Sequence, residues 1–124
     1  MIGEIRRIRT PFFDLATNSV RMKARPGLIL AKADSGDFVV LPVSSISRRQ
    51  NCDAEYDIKV DPVVYPKLNL NCVSFIRTHK QTIVHISDIA PMISDLKGEY
   101  PDLFLTVLEK REAFSQEITK QALE

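Results

Sequence analysis

Arg25 stands immediately before Pro26, and Ser44 and Ser45 close the run Leu41-Pro42-Val43. A residue that precedes proline is driven to extended backbone, so the Arg25 guanidinium is carried on a stiff platform. Such a group forks onto a phosphate through two hydrogen bonds, and a nearby hydroxyl adds another donor. The same residues also suit a strand-end ion pair and an ordinary serine turn. Arg77-Thr78-His79-Lys80 forms a second polar cluster at the end of another apolar run. His79 and His85 are the only histidines; each is able to exchange a proton near neutrality or to sit satisfied at the surface.

Other chemistry has little support. The chain has no phosphate-binding glycine loop, no His-Glu-x-x-His, no Gly-x-Ser-x-Gly and no cysteine–histidine cluster. No metal and no cofactor is expected. Cys52 and Cys72 are too few for a disulfide framework and lack metal spacing, which fits reduced thiols in a cytoplasmic protein. The opening residues, Met1 to Arg7, are charged without an apolar run behind them, so no secretory leader is expected. Net charge is +1, but it is unevenly spread. Residues 1–50 hold nine Lys/Arg against four acids, and residues 51–124 hold eight against twelve. A basic half suits an anionic partner such as a phosphate backbone, unless the fold mixes the two halves again.

The elements that would position these groups are mostly strands. Glu4–Phe13 reads as a first strand, and Asp14–Lys23, polar and without glycine, as a loop. Pro26–Lys32 is an apolar run too short for a helix. Asp34-Ser35-Gly36-Asp37 is a turn signal, and Phe38–Ile46 returns as its antiparallel partner. That hairpin brings Arg25 toward Ser44. Ser47–Glu55 reads as a loop, Tyr56–Val60 as a half-exposed strand and Asp61–Asn71 as a connection. Cys72–His79 and Thr82–Ile86 are two further strands. Ser87-Asp88 then predicts an N-cap for a helix over Ile89–Leu96, with Pro91 in its first turn and Gly98 as its stop. A long helix from Pro101-Asp102 to about Gln121 carries Phe104, Val107, Leu108, Phe114 and Ile118 on one stripe. The result is a single α+β domain over 1–124, a small, mostly antiparallel, barrel-like sheet with C-terminal helices. The helical stripe exceeds what one sheet covers, which favours a homodimer over a monomer.

In order and spacing, four segments resemble the MazF/PemK family of toxin endoribonucleases. Gly3-Glu4-Ile5 resembles the family's opening Gly-Asp-Ile/Val. Arg25-Pro26-Gly27-Leu28-Ile29-Leu30 resembles its Arg-Pro-Ala/Val-Leu-Val-Ile/Leu strand. Leu41-Pro42-Val43-Ser44-Ser45 resembles its Val-Pro-Ile-Thr-Ser, and Ile76-Arg77-Thr78 its Ile-Arg-Thr. The likeness runs from Gly3 to about Leu108 and is loose in the helical end. It implies a MazF/CcdB-like fold, a homodimer, and single-stranded RNA bound along the dimer groove. It implies Arg25 and Ser44 as the catalytic pair, Ser44 in place of the family's threonine. The RNA contacts expected with them are Lys23, Ser45, Arg77, Thr78 and His79. The implied chemistry is attack of a ribose 2′-OH on the adjacent phosphate, giving a 2′,3′-cyclic phosphate and a 5′-OH without a metal. A cognate antitoxin, short and acidic, is the implied inhibitor.

The chain also departs from that pattern. Asp14–Lys23 replaces the family's glycine-bearing loop beside the active site, so base specificity does not transfer. Ser74 and Phe75 stand where many members carry Gln or Glu, and the tail to Glu124 is longer. Two other functions compete. A DNA gyrase inhibitor of the CcdB type would share the fold, but its C-terminal Trp-Gly-Ile is missing from a chain without tryptophan. A barrel that binds RNA or protein without cutting fits the charge asymmetry equally well.

Overall fold

A computed structural model describes residues 1–124. The centre of the sheet is a pair of hairpins. β1 (Glu4–Asp14) and β2 (Ser19–Asp34) pair without interruption from Ile5↔Leu28 to Asp14↔Ser19. The expected loop over Asp14–Lys23 is therefore a four-residue turn followed by strand. Ser19 to Arg25 alternates polar and apolar residues, a period that suits a ribbon whose two faces differ. The turn needs no glycine. Asn18 takes the left-handed conformation at φ 51°, and the Ala16 N–H donates to Asp14 Oδ1 at 2.9 Å. From Arg9 to Ala24 the two strands have no partner but each other, so they project as an exposed arm.

β3 (Asp37–Ser44) returns through Gly36, at φ 78°, and pairs with β2 from Asp34↔Asp37 to Gly27↔Pro42. Its other edge is shared. β6 (Thr82–His85) covers Asp37–Val40, and β5 (Ser74–Arg77) covers Val43 and Ser44. Pro42, which has no N–H to donate, falls in the interval between those two partners. β4 (Asp57–Val60) extends the sheet beyond β5.

The segment expected as a helix over Ile89–Leu96 is instead strand β7 (Ile89–Asp95), on the edge beside β1. A short apolar run takes its form from the pairing available, and Ile5, Arg6 and Ile8 supply it. Pro91 is accommodated because the register shifts between Arg6↔Met92 and Ile8↔Ile89, at a bulge in an edge strand. Asp95 then caps a single helical turn, α1 (Leu96–Glu99), by accepting from Gly98 N–H at 3.1 Å. All pairings are antiparallel, and the sheet curls into a half-barrel with the order β4-β5-β3-β2-β1-β7 and β6 beside β3.

α2 (Pro101–Leu123) begins with proline in the first turn and Asp102 at the positive end of the helix dipole. Leu103, Phe104 and Val107 pack on Ile5, Leu28, Leu41, Val43 and Ile76, forming the main core on one face of the sheet. Full burial of such a side chain contributes about 2 kcal/mol. The expected helical stripe is fully covered only in its first part, and Phe114 is half-buried against the rings of Tyr56 and His79. Leu108 and Ile118 are 37% and 53% exposed. Ile8, Ile29, Phe38 and Val40 make a smaller cluster on the opposite face. No helix is long and apolar enough to cross a membrane.

Candidate functional site

The antiparallel register carries Arg25 and Ser44 toward each other. Gly27 pairs with Pro42, and both residues of interest lie two positions further along their strands on the same face. Both line one cleft of about 510 Å³ on the face opposite the main core. Its floor includes Ile8 and Val40, which close over the backbone of Gly27. A Cβ at Gly27 would lie 2.7 Å from Val40 Cγ1 and 2.8 Å from Ile8 Cγ1. An alanine or valine at this position has no space, and the glycine lets the floor close.

Four cations line the cleft, Arg9, Arg25, Arg77 and Lys80, against the single carboxylate of Asp88. Arg25 is exposed and has no ion-pair partner. Its guanidinium is therefore free to meet an anion. Ser44 is half-buried at the end of β3, opposite Phe75. A hydroxyl and an unpaired guanidinium converging on one space form a donor set for phosphate oxygens.

Arg77 reaches the same cleft under constraint. Its Nε donates to Asp57 Oδ1 at 3.1 Å, and Nη2 donates to Asn51 O at 3.0 Å. The Asp57 side chain is 0% exposed. Asp57 Oδ2 also accepts from Asp53 N–H at 2.8 Å. Asp57 thus neutralises much of the Arg77 charge and fixes its direction. Beside it, Asp53 carries a carboxyl lowered from its ordinary 3.8, chiefly by the N–H groups of Tyr56 and Glu55 that donate to it.

The remaining expected RNA contacts divide. Lys23 shares the face of Arg25 but stands further out along the arm, beyond the cleft wall. Ser45 belongs to the other face of the sheet, where it lines a smaller hollow with Arg7 and Pro26, because successive strand residues point oppositely. Thr78 is 0% exposed and donates through Oγ1 to Tyr56 O at 2.6 Å, so it ties β5 to the β4 side and meets no ligand. His79 packs against the rings of Tyr56 and Phe114. Its Nδ1 lies 3.7 Å from Asp57 Oδ1 and makes no hydrogen bond. The structure therefore brings Arg25, Ser44 and Arg77 together and leaves Lys23, Ser45, Thr78 and His79 outside.

His85, Asp88, Arg9 and Lys80 were not among the expected contacts, and all line the cleft. Period-two alternation from Ile8 offered no signal for Arg9, and the segment holding Asp88 read as a helix start. His85 was visible as a histidine at a strand end. Its Nδ1 accepts from Ser87 N–H at 3.1 Å, with Ser87 Oγ at 2.9 Å. No group of three His, Cys, Asp or Glu side chains gathers where it could hold a metal ion.

A scan against models of protein families finds no match for this chain, and a search of curated proteins returns none.

Proposed function

We propose that the chain is a cytoplasmic toxin endoribonuclease of the MazF/PemK kind, cutting single-stranded RNA and held in check by a cognate antitoxin. The observation that carries this reading is the convergence of unpaired Arg25 with Ser44 in a cation-lined cleft. The nucleophile is the substrate's own 2′-OH, so the reaction does not depend on a metal to generate one. The 2′ oxygen forms a bond to phosphorus as the bond to the 5′ oxygen breaks. The 2′ proton is lost, the departing 5′ oxygen gains one, and a 2′,3′-cyclic phosphate and a 5′-OH result. Negative charge grows on the non-bridging oxygens, where the Arg25 guanidinium and the Ser44 hydroxyl donate. Each such donor contributes about 3–4 kcal/mol to transition-state stabilisation. Arg77, oriented by Asp57, supplies a third donor edge.

The exposed apolar residues Phe13, Val20 and Met22 on the arm and Leu105 and Ile118 on α2 support a homodimer. A second reading, RNA binding without cleavage, draws on a specific feature. Neither histidine stands at the Arg25–Ser44 end: His79 is packed beside Asp57, and His85 pairs with Asp37 at the other end of β3. The test is incubation of varied single-stranded RNAs in EDTA with the wild-type chain and with Arg25→Ala. Cleavage to cyclic-phosphate ends by the wild type, lost in the variant, supports the nuclease. Salt-dependent binding without new ends, weakened by the variant, supports the binder instead.

A further inference from the structure

Beyond the cleft, the two faces of the arm differ in kind. Residues opposite each other on the ribbon share a face, and successive pairs alternate. Ile8↔Arg25, Thr10↔Lys23 and Phe12↔Arg21 therefore lie on one face, and Pro11↔Met22 and Phe13↔Val20 on the other. Ile8 sets the direction of the first. It packs with Ile29, Phe38 and Val40 in the smaller cluster, on the side of the sheet that holds the cleft. The face that runs outward from the cleft is thus basic, and its reverse is apolar.

The basic face is a ladder. Arg25, Lys23 and Arg21 take alternate positions of β2, so their Cα atoms recur about every 6.7 Å. All three side chains are exposed. Arg25 and Lys23 have no ion-pair partner. Arg21 meets Asp14 Oδ2 at 3.4 Å through Nη1 alone and stays 59% exposed, a contact worth little in water. Asp14 is the only carboxylate between Arg9 and Arg25. Three like charges on one ribbon face repel one another and hold no part of the fold together. Phe12 lies across from Arg21 and diagonal to Lys23, is exposed, and is the only phenylalanine, tyrosine or tryptophan that borders the cleft.

We propose that this face tracks a single strand of RNA, with Arg25, Lys23 and Arg21 on three successive phosphates and Phe12 stacked on a base of the same stretch. An extended strand repeats its phosphates at a spacing of the same order as the ladder. A cationic row beside an aromatic ring holds single strands without reading their sequence, because every base has a π-face. An acidic polypeptide would answer the charges but would give Phe12 nothing to stack on. The inference rests on the nuclease reading for placing the scissile phosphate at Arg25, whereas the track itself needs only binding.

The experiment measures binding of the full chain to 2′-O-methyl oligonucleotides, which lack the nucleophile and stay uncut. A dinucleotide and a hexanucleotide are compared across a salt series, and cleavage of the matching unmodified hexanucleotide is followed in parallel. The hexanucleotide is expected to bind more tightly, with a steeper fall of log affinity against log salt. Lys23→Gln and Arg21→Gln each reduce that slope by about 0.7, the share of one single-strand phosphate. Phe12→Ala lowers hexanucleotide affinity by about tenfold and leaves the slope unchanged. Thermal unfolding shows that each variant is folded. An unchanged slope in either cation variant overturns the track. Affinity for hexaglutamate equal to that for the hexanucleotide overturns it in favour of an acidic polypeptide. Cleavage with unchanged slopes keeps the nuclease and overturns the track. Slope losses without cleavage keep the track and overturn the nuclease. Failure to bind either oligonucleotide overturns both.

Discussion

Arg25 stands at the base of a two-stranded arm without an ion-pair partner, whereas Arg77 is clamped by Asp57 and Asn51 at the β4–β5 edge. Both side chains line the same cleft. The first is available because its neighbours across the ribbon, Ile8 and Thr10, offer it no carboxylate. The second is oriented because a fully buried carboxylate must be answered. An arginine that awaits a ligand and an arginine that satisfies the fold cannot be told apart by residue type. Local charge compensation separates them.

Breaking each side of that comparison gives different readouts. Arg25→Ala is expected to lower kcat/KM for RNA by about 10²–10³-fold, as for loss of one transition-state donor. Its unfolding free energy from urea titration should stay within about 0.5 kcal/mol of wild type, because an exposed side chain without partners is removed. A large loss of stability in Arg25→Ala would place that residue with Arg77 and erase the distinction. Asp57→Ala should do the reverse, destabilising the fold by about 3 kcal/mol in urea titration because Arg77 loses its buried partner. Activity should fall with it, as Arg77 loses its direction.

Gly27→Ala tests the floor on which the two regions meet. The added methyl collides with Val40 and Ile8, so a loss of about 1–3 kcal/mol is expected by thermal unfolding. The smallest effect concerns Asp53, next to the clamp. Its folded-state pKa lies below the ordinary 3.8, because backbone N–H groups favour the charged form. The unfolded chain therefore holds that proton more tightly than the native one. The contribution to stability is full above the ordinary carboxylate range and fades as pH falls through the lowered value. Asp53→Asn should lower stability slightly at neutral pH and converge with the wild type below about pH 4, which flattens the acid limb of the stability–pH curve measured by denaturant titration.

Much of the fold was legible because apolar periodicity and turn residues act locally. The β2–β3 hairpin followed from Gly36 between two apolar runs, and α2 followed from Pro101, Asp102 and a helical stripe. The two misread segments failed for physical reasons. Ile89–Asp95 carries a capping pattern and a proline that fit a helix start, but an unpaired edge on β1 drew it into the sheet. Asp14–Lys23 lacks a glycine, and Asn18 took over its role. At the site, Arg25 and Ser44 were readable from position and hairpin register. Thr78 and His79 share a polar tetrapeptide with Arg77, but the chain leaves β5 there and turns them to different surroundings.

The sequence by itself determined which segments extend and which coil, and it set Arg25 and Ser44 on facing strands, because those properties depend on neighbours along the chain. Only the tertiary structure decided which polar groups remain unpaired. Asp57 reaches Arg77 across twenty residues, and the turn that holds His85 and Asp88 joins an edge beside β3 to an edge beside β1. Charge compensation and side-chain orientation arise between strands distant in sequence, so they are fixed when the sheet curls and not before.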